Sequence, residues 1–272
     1  MLDETDPQLA VVNSWYGHMA EKTVHCLERG IHVFSEKPLA ARYEQLDAVE
    51  KAYSQGRAAL GCMLNLNCCG WYKAIEQSVA RGDIGKLRLI HAQKSYRMGN
   101  RGRQYQNRDD YGGTIPWVGM HAIDWILGLG GRCERVSAYH TRVDNGGNGD
   151  METCAVVSMK LKGEVLASAD LDFLRPTGSA RHDDDRLRVT GTRGMLEAID
   201  GRVYLENEQS RRELPLPESE NPFVRFLKAV ENGASDALAQ RALYDTRICL
   251  FAREAADREI NITCTDWRQS NV

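Results

Sequence analysis

The chain has 272 residues, 42% of them hydrophobic and 27% charged, enough for one large domain or two ordinary ones around a real core. A net charge of -3 supplies no basic field for nucleic acid or anionic lipid, and nothing approaches the roughly 18 consecutive apolar residues of a membrane span. Eight cysteines without Cys-x-x-Cys spacing or a disulfide framework, behind a start with no signal-peptide run, predict reduced thiols in a cytoplasmic protein.

Taken in chain order, "QLAVVNS" is a short continuous apolar run that predicts a strand ending at Asn13 and Ser14. Ala20, Val24 and Leu27 follow at helical spacing, and Arg29-Gly30 closes that helix. "IHVF" is the next strand, and it runs out at Glu36-Lys37-Pro38. Leu46, Val49 and Tyr53 mark a helix up to Gly56, "AALGCML" a third strand, and Tyr72, Ile75 and Val79 a further helix that ends near "RGDIG". Such a β-α-β-α-β-α order predicts parallel strands joined by crossover helices, an α/β doubly wound layer.

Beyond residue 86 the pattern changes. "KLRLIHAQKSYRM" is a long strand, and "GEVLASADLDFL" alternates, with Val165, Ala167, Ala169, Leu171 and Phe173 on one face and Leu166, Ser168, Asp170 and Asp172 on the other. One apolar and one wetter face predict an antiparallel sheet. Further strands are expected at 134–142, 152–161, 186–190, 195–199 and 202–206. Two helices finish the chain, the longer with Leu238, Ala242, Cys249, Ala252 and Ala256 on one face. The fold class is therefore α/β plus α+β: an incomplete doubly wound parallel, Rossmann-like layer, then an open, mainly antiparallel sheet domain with helices, divided near Gly85.

Two stretches carry chemistry. Glu36 and Lys37 sit at a carboxyl strand end, where ligands bind in open α/β sheets; a solvated strand end with a proline stop is the alternative. In "DDYGGTIPWVGMHAIDWILGLGG", residues 109–131, His121 and Asp124 intrude into an apolar helix that follows a Gly-Gly turn. At i and i+3 they share a face, so the carboxylate can orient or charge-stabilise the imidazole, or the two form a satisfied buried pair.

Together, Glu36-Lys37-Pro38 and Gly119-x-His121-x-x-Asp124 at this spacing resemble the Gfo/Idh/MocA family of NAD(P)-dependent oxidoreductases. The likeness extends through "AVVNSWYGHMAEKTVHCLERGIHVFSEKPLA", "RGDIGKLRLIHA" and "DDRLRVTGTRGMLEA", over nearly the whole chain. It implies a partial dinucleotide-binding domain over 1–85 and a substrate-binding and oligomerisation domain over 86–272, with NAD or NADP as cofactor and a sugar, cyclitol or related polyol as substrate. Lys37, His121 and Asp124 would be catalytic. Asn13, Ser14, Glu36 and Lys37 would meet the cofactor, and Tyr96, Arg97, Trp117 and His182 the substrate. A homo-oligomer through the second sheet is implied too, with no nucleic-acid or membrane partner and no metal.

Two departures stand against the family pattern. Trp117 occupies the position, four before the motif histidine, where the family usually carries Asp, and the sequence contains no Gly-x-Gly-x-x-Gly turn for the pyrophosphate. A phosphate loop upstream of Met1 is thus expected of the native protein; the competing expectation is a non-catalytic or regulatory sheet-mediated oligomer with no functional nucleotide site. A metal hydrolase ranks below both, since the seven histidines show no His-x-x-x-His spacing and "HDDD" at 182–185 reads as a loop.

Overall fold

The computed structural model describes residues 2–264. A single-turn helix, α1 (Leu2–Thr5), precedes three short strands, β1 (Leu9–Val12), β2 (His32–Ser35) and β3 (Leu60–Cys62), paired in parallel in that order. Val33 and Phe34 of the central strand are buried, as expected for a strand covered on both faces. The crossovers are α2 (Tyr16–Glu28) and α3 (Tyr43–Gln55), whose buried residues recur at three- and four-residue intervals: Met19, Ala20, Thr23, Cys26 and Leu27, then Leu46 and Val49. Gly30, at φ +76°, makes the left-handed exit from α2 that a side chain would resist.

After α4 (Gly70–Ala80) the chain enters a nine-stranded sheet. Its strands are β4 (Leu87–Arg97), β5 (Cys133–Thr141), β6 (Cys154–Leu161), β7 (Val165–Arg175), β8 (Asp183–Gly191), β9 (Gly194–Ile199), β10 (Arg202–Asn207), β11 (Arg211–Glu213) and β12 (Ile262–Thr263). The order is β11-β10-β9-β8-β4-β7-β6-β5-β12, antiparallel throughout except for the central β4–β7 pair. The alternation of β7 falls as expected: Val165, Ala167, Ala169, Leu171 and Phe173 are buried, while Leu166 and Leu174 are exposed.

The short α5 (Arg108–Tyr111) leads into α6 (Thr114–Gly130), almost wholly buried between the sheet and the long α8 (Asp236–Arg258). Gly119 permits that approach, for a Cβ there would lie 2.6 Å from Leu171 Cδ1 on β7. Helix α7 (Pro222–Glu231) covers the other face of the first layer, with Phe226 against Phe34 at 5.5 Å between ring centroids. Helix α8 contacts both β3 and β5, and Arg247 on it pairs with Asp47 and Glu50 of α3 at 2.7 and 3.0 Å. The last helix therefore ties the two layers together.

One expected loop is strand. Residues 183–185 belong to β8, because Asp184 pairs with Arg175 and Arg186, at 3.1 and 2.9 Å, and Asp185 with Lys94 at 2.6 Å. The charges of Asp184 and Asp185 are neutralised within the sheet rather than by solvent. All eight cysteines are free thiols.

Candidate active site

Lys37 follows the end of β2 and reaches across to α6, only 8% exposed. Its Nζ donates to the Trp117 carbonyl oxygen at 2.7 Å and lies 4.0 Å from the Trp117 ring centroid. Burial pushes its pKa down to about 8; Glu36 opposes the shift and Lys94 adds to it. The Glu36 carboxylate accepts from the Lys37 backbone N–H at 3.0 Å, and burial moves its pKa upward. The adjacent acid and base are thus both displaced toward their neutral forms.

One helical turn beyond Trp117, His121 is buried, and its Nδ1 has no hydrogen-bond partner among the described residues. Burial first, then the positive charges of Lys37 and Lys94, hold it well below the ordinary imidazole range. A neutral imidazole beside a buried amine can accept a proton.

A cavity of about 150 Å³ opens here, walled by Lys37, Trp117, Tyr96, Arg101, Phe173 and His182. Tyr96 packs on His182 and Phe173, at 5.4 and 6.2 Å between centroids, while the Trp117 ring is held by Tyr16 at 4.3 Å. An apolar, aromatic wall with a few polar groups is the composition of a small-molecule site.

Four of the expected residues, Lys37, Tyr96, Trp117 and His182, thus share one cavity; His121 does not line it but lies within reach of the Lys37 charge. Asp124 departs from expectation. Its carboxylate accepts from Arg241 Nε at 2.6 Å and from Asn67 Nδ2 at 3.0 Å, and it makes no hydrogen bond to His121. Sharing a helix face gave it reach, but a guanidinium from α8 claimed the charge. Arg97 also lies elsewhere: strand alternation turns it away from Tyr96, and Nη1 donates to the Thr177 carbonyl at 3.2 Å. Asn13 lines a separate, larger groove of about 1080 Å³ along β1, α2 and α3, and Ser14 Oγ accepts from Lys22 Nζ at 2.7 Å.

Two further cations, Lys94 and Arg101, stand at the site without a motif to mark them. Lys94 is 1% exposed, on the buried face of β4 in register with Ile90 and Ala92; a lysine at an apolar alternation position was the available signal. Arg101 lies in an irregular segment with no periodicity to mark it. Elsewhere His140, Glu152 and Asp257 bring potential metal-ligand atoms within 4.8 Å of one another. Arg108 supplies the cation there, pairing with Glu152 and, at 3.2 Å, with Asp257, while Glu152 accepts from the Thr114 N–H at 2.8 Å and anchors the start of α6.

Residues 1–61 match the oxidoreductase-family NAD-binding Rossmann fold, and residues 72–197 the GFO/IDH/MocA C-terminal domain. The chain belongs to the Gfo/Idh/MocA oxidoreductase family. A solved structure from Thermotoga maritima, described as a candidate oxidoreductase, is 37% identical with a TM-score of 0.94, over 97% of this chain and 82% of that one. A scyllo-inositol 2-dehydrogenase (NADP(+)) of Bacillus subtilis is 25% identical over 132 residues, 48% of this chain, so the match spans only 37% of that relative. An inositol dehydrogenase homologue from Azotobacter vinelandii, solved with NADH and myo-inositol, shares the fold at 18% identity and a TM-score of 0.78, over 94% of this chain and 78% of its own. Within this Gfo/Idh/MocA chain, Trp117 holds Lys37 through a backbone carbonyl and a ring face, with no carboxylate at that position.

Proposed function

We propose that the cavity is the substrate side of a hydride-transfer site, which oxidises a hydroxyl of a sugar, cyclitol or related polyol, or reduces the matching carbonyl, with NAD or NADP. One observation carries the reading: the buried amine of Lys37, at about pKa 8, lines an aromatic cavity, and its charge reaches the buried, neutral His121, whose Nδ1 has no partner. The substrate hydroxyl would lie against Lys37, and His121 would take its proton. Lys37 would then stabilise the alkoxide character that develops as hydride leaves the same carbon. The wall of Trp117 and Tyr96 suits the C–H face of a ring, and His182 supplies a polar edge.

When bound, NAD(P) would supply the hydride acceptor or donor. The polar ends of β1 and β2 fit its nicotinamide riboside: Asn13 and Ser14 follow one strand, Glu36 the other, and all three are in the layer over 1–85. Asp124, through Arg241 and Asn67, would position α6 rather than touch substrate.

A second reading, a sheet-mediated oligomer that binds a small ligand without turnover, has one observation in its favour. Among the described residues β1 pairs only with β2, and Val11 on it is 59% exposed. Titration with NADH and NADPH, followed by nicotinamide fluorescence, separates the two. Saturable binding is the expected result; no binding of either nucleotide would overturn the hydride-transfer reading in favour of the second.

A further inference from the structure

We infer that Arg101 makes the cavity a carboxylate site, so that the substrate is a polyhydroxylated acid rather than a neutral polyol; this rests on the reading that the cavity holds the substrate. The cavity wall carries two cationic side chains, Lys37 and Arg101, and no acid. Among the described residues neither has a carboxylate within ion-pairing distance. Lys37 Nζ is held by a carbonyl and an aromatic face. Arg101 Nη2 donates to the Arg97 carbonyl at 3.1 Å, and its buried Nε has no partner. The guanidinium lies over Phe173 and Tyr105, 4.5 and 5.4 Å from their centroids.

The neighbouring charges behave differently. Lys94 is matched by Asp185 at 2.6 Å, and Asp184 by Arg175 and Arg186. Glu36 favours the charged form of Lys37, so the positive charge left without an acid at the cavity wall is that of Arg101. A part-buried cation without a counter-ion is costly, and an anionic ligand offsets that cost. Between the two cations the chemistry divides. Arg101 cannot lose its proton, and its planar fork, already ordered between two rings, matches a carboxylate in two parallel hydrogen bonds. Lys37, which titrates near 8 beside His121, remains for the reacting oxygen. A cavity of about 150 Å³ is on the scale that accepts a six-membered ring.

Isothermal titration calorimetry with two matched pairs tests this: glucuronate against glucose, and gluconate against glucitol. The expected result is that each acid binds at least tenfold more tightly than its neutral partner, and that rising ionic strength weakens the acids alone. Arg101→Gln should lower acid affinity at least tenfold more than neutral affinity and so erase the preference, and Arg101→Lys should retain part of it. A purely structural role would shift both members of a pair together. Equal binding within each pair, or a preference that Arg101→Gln leaves intact, overturns the inference and leaves the polyol reading standing. Absence of binding by all four compounds overturns it as well. Acid-selective binding without hydride transfer would uphold it and remove the catalytic reading instead.

Discussion

In the proposed hydride-transfer site Lys37 is the buried amine, and its titration is the most accessible check at the scale of a single residue. The amine has an ordinary value of 10.5 and falls to about 8 in the fold, so between those pH values the unfolded chain holds a proton that the folded chain has released. Folding stability from this group therefore rises with pH across that window, and below pH 8 the burial cost is present in full. Lys37→Met should stabilise the protein at pH 7 by roughly 1–3 kcal/mol, the gap closing as pH passes the upper value. Denaturant melts at a series of pH values measure it; a destabilised variant at pH 7 would contradict the assignment. Lys37 and His121 were legible in the sequence because a strand end and an apolar helix each carried a residue that their patterns did not predict. The partner of Asp124 was not legible, since Arg241 lies more than a hundred positions away and its contact is made only when α8 crosses α6.

Among the elements, α6 sets the geometry, carrying Trp117, His121 and Asp124 in two turns against the sheet. Its closeness to β7 depends on Gly119, so Gly119→Ala should press on Leu171 and cost roughly 1–3 kcal/mol. The double variant Gly119→Ala/Leu171→Ala should cost less than the sum of the two single changes, because the truncated leucine removes the clash. Additive losses in chemical denaturation would show that α6 packs elsewhere. Helices and strands with regular burial were readable from period alone, β7 most clearly. The start of β8 was not, because three consecutive acids look solvated until Lys94 of the adjacent β4 and Arg175 of β7, one strand further, join Arg186 of β8 itself around Asp184 and Asp185. The parallel β4–β7 pair was equally hidden, as register between distant strands leaves no local trace.

For the whole molecule, the wet face of the nine-stranded sheet is less wet than its alternation suggested. Leu89 faces Leu166 across β4 and β7, Tyr139 faces Val156 across β5 and β6, and all four are 46–68% exposed. The two apolar pairs stand on one open face with the row His91, Ser168, Ser158 and Ser137 between them; exposed apolar side chains in that arrangement mark an association surface, and we propose that copies of this chain pair through it. Sedimentation should give at least a dimer, with the double variant Leu166→Lys/Val156→Asp shifted to the single-chain mass of 30.6 kDa; a wild-type monomer would refute the surface. No described helix is long and apolar enough to cross a membrane. Hydride tracing probes the proposed site itself: polyols and sugar acids deuterated at their carbinol carbons are incubated with the protein and NAD or NADP, and the reduced nicotinamide is examined by mass spectrometry and NMR. Deuterium is expected at the nicotinamide C4 on one face, with the rate of transfer lowered at least a hundredfold by Lys37→Met and by His121→Phe; no transfer from any of these substrates, or transfer unchanged in both variants, would refute the hydride-transfer site.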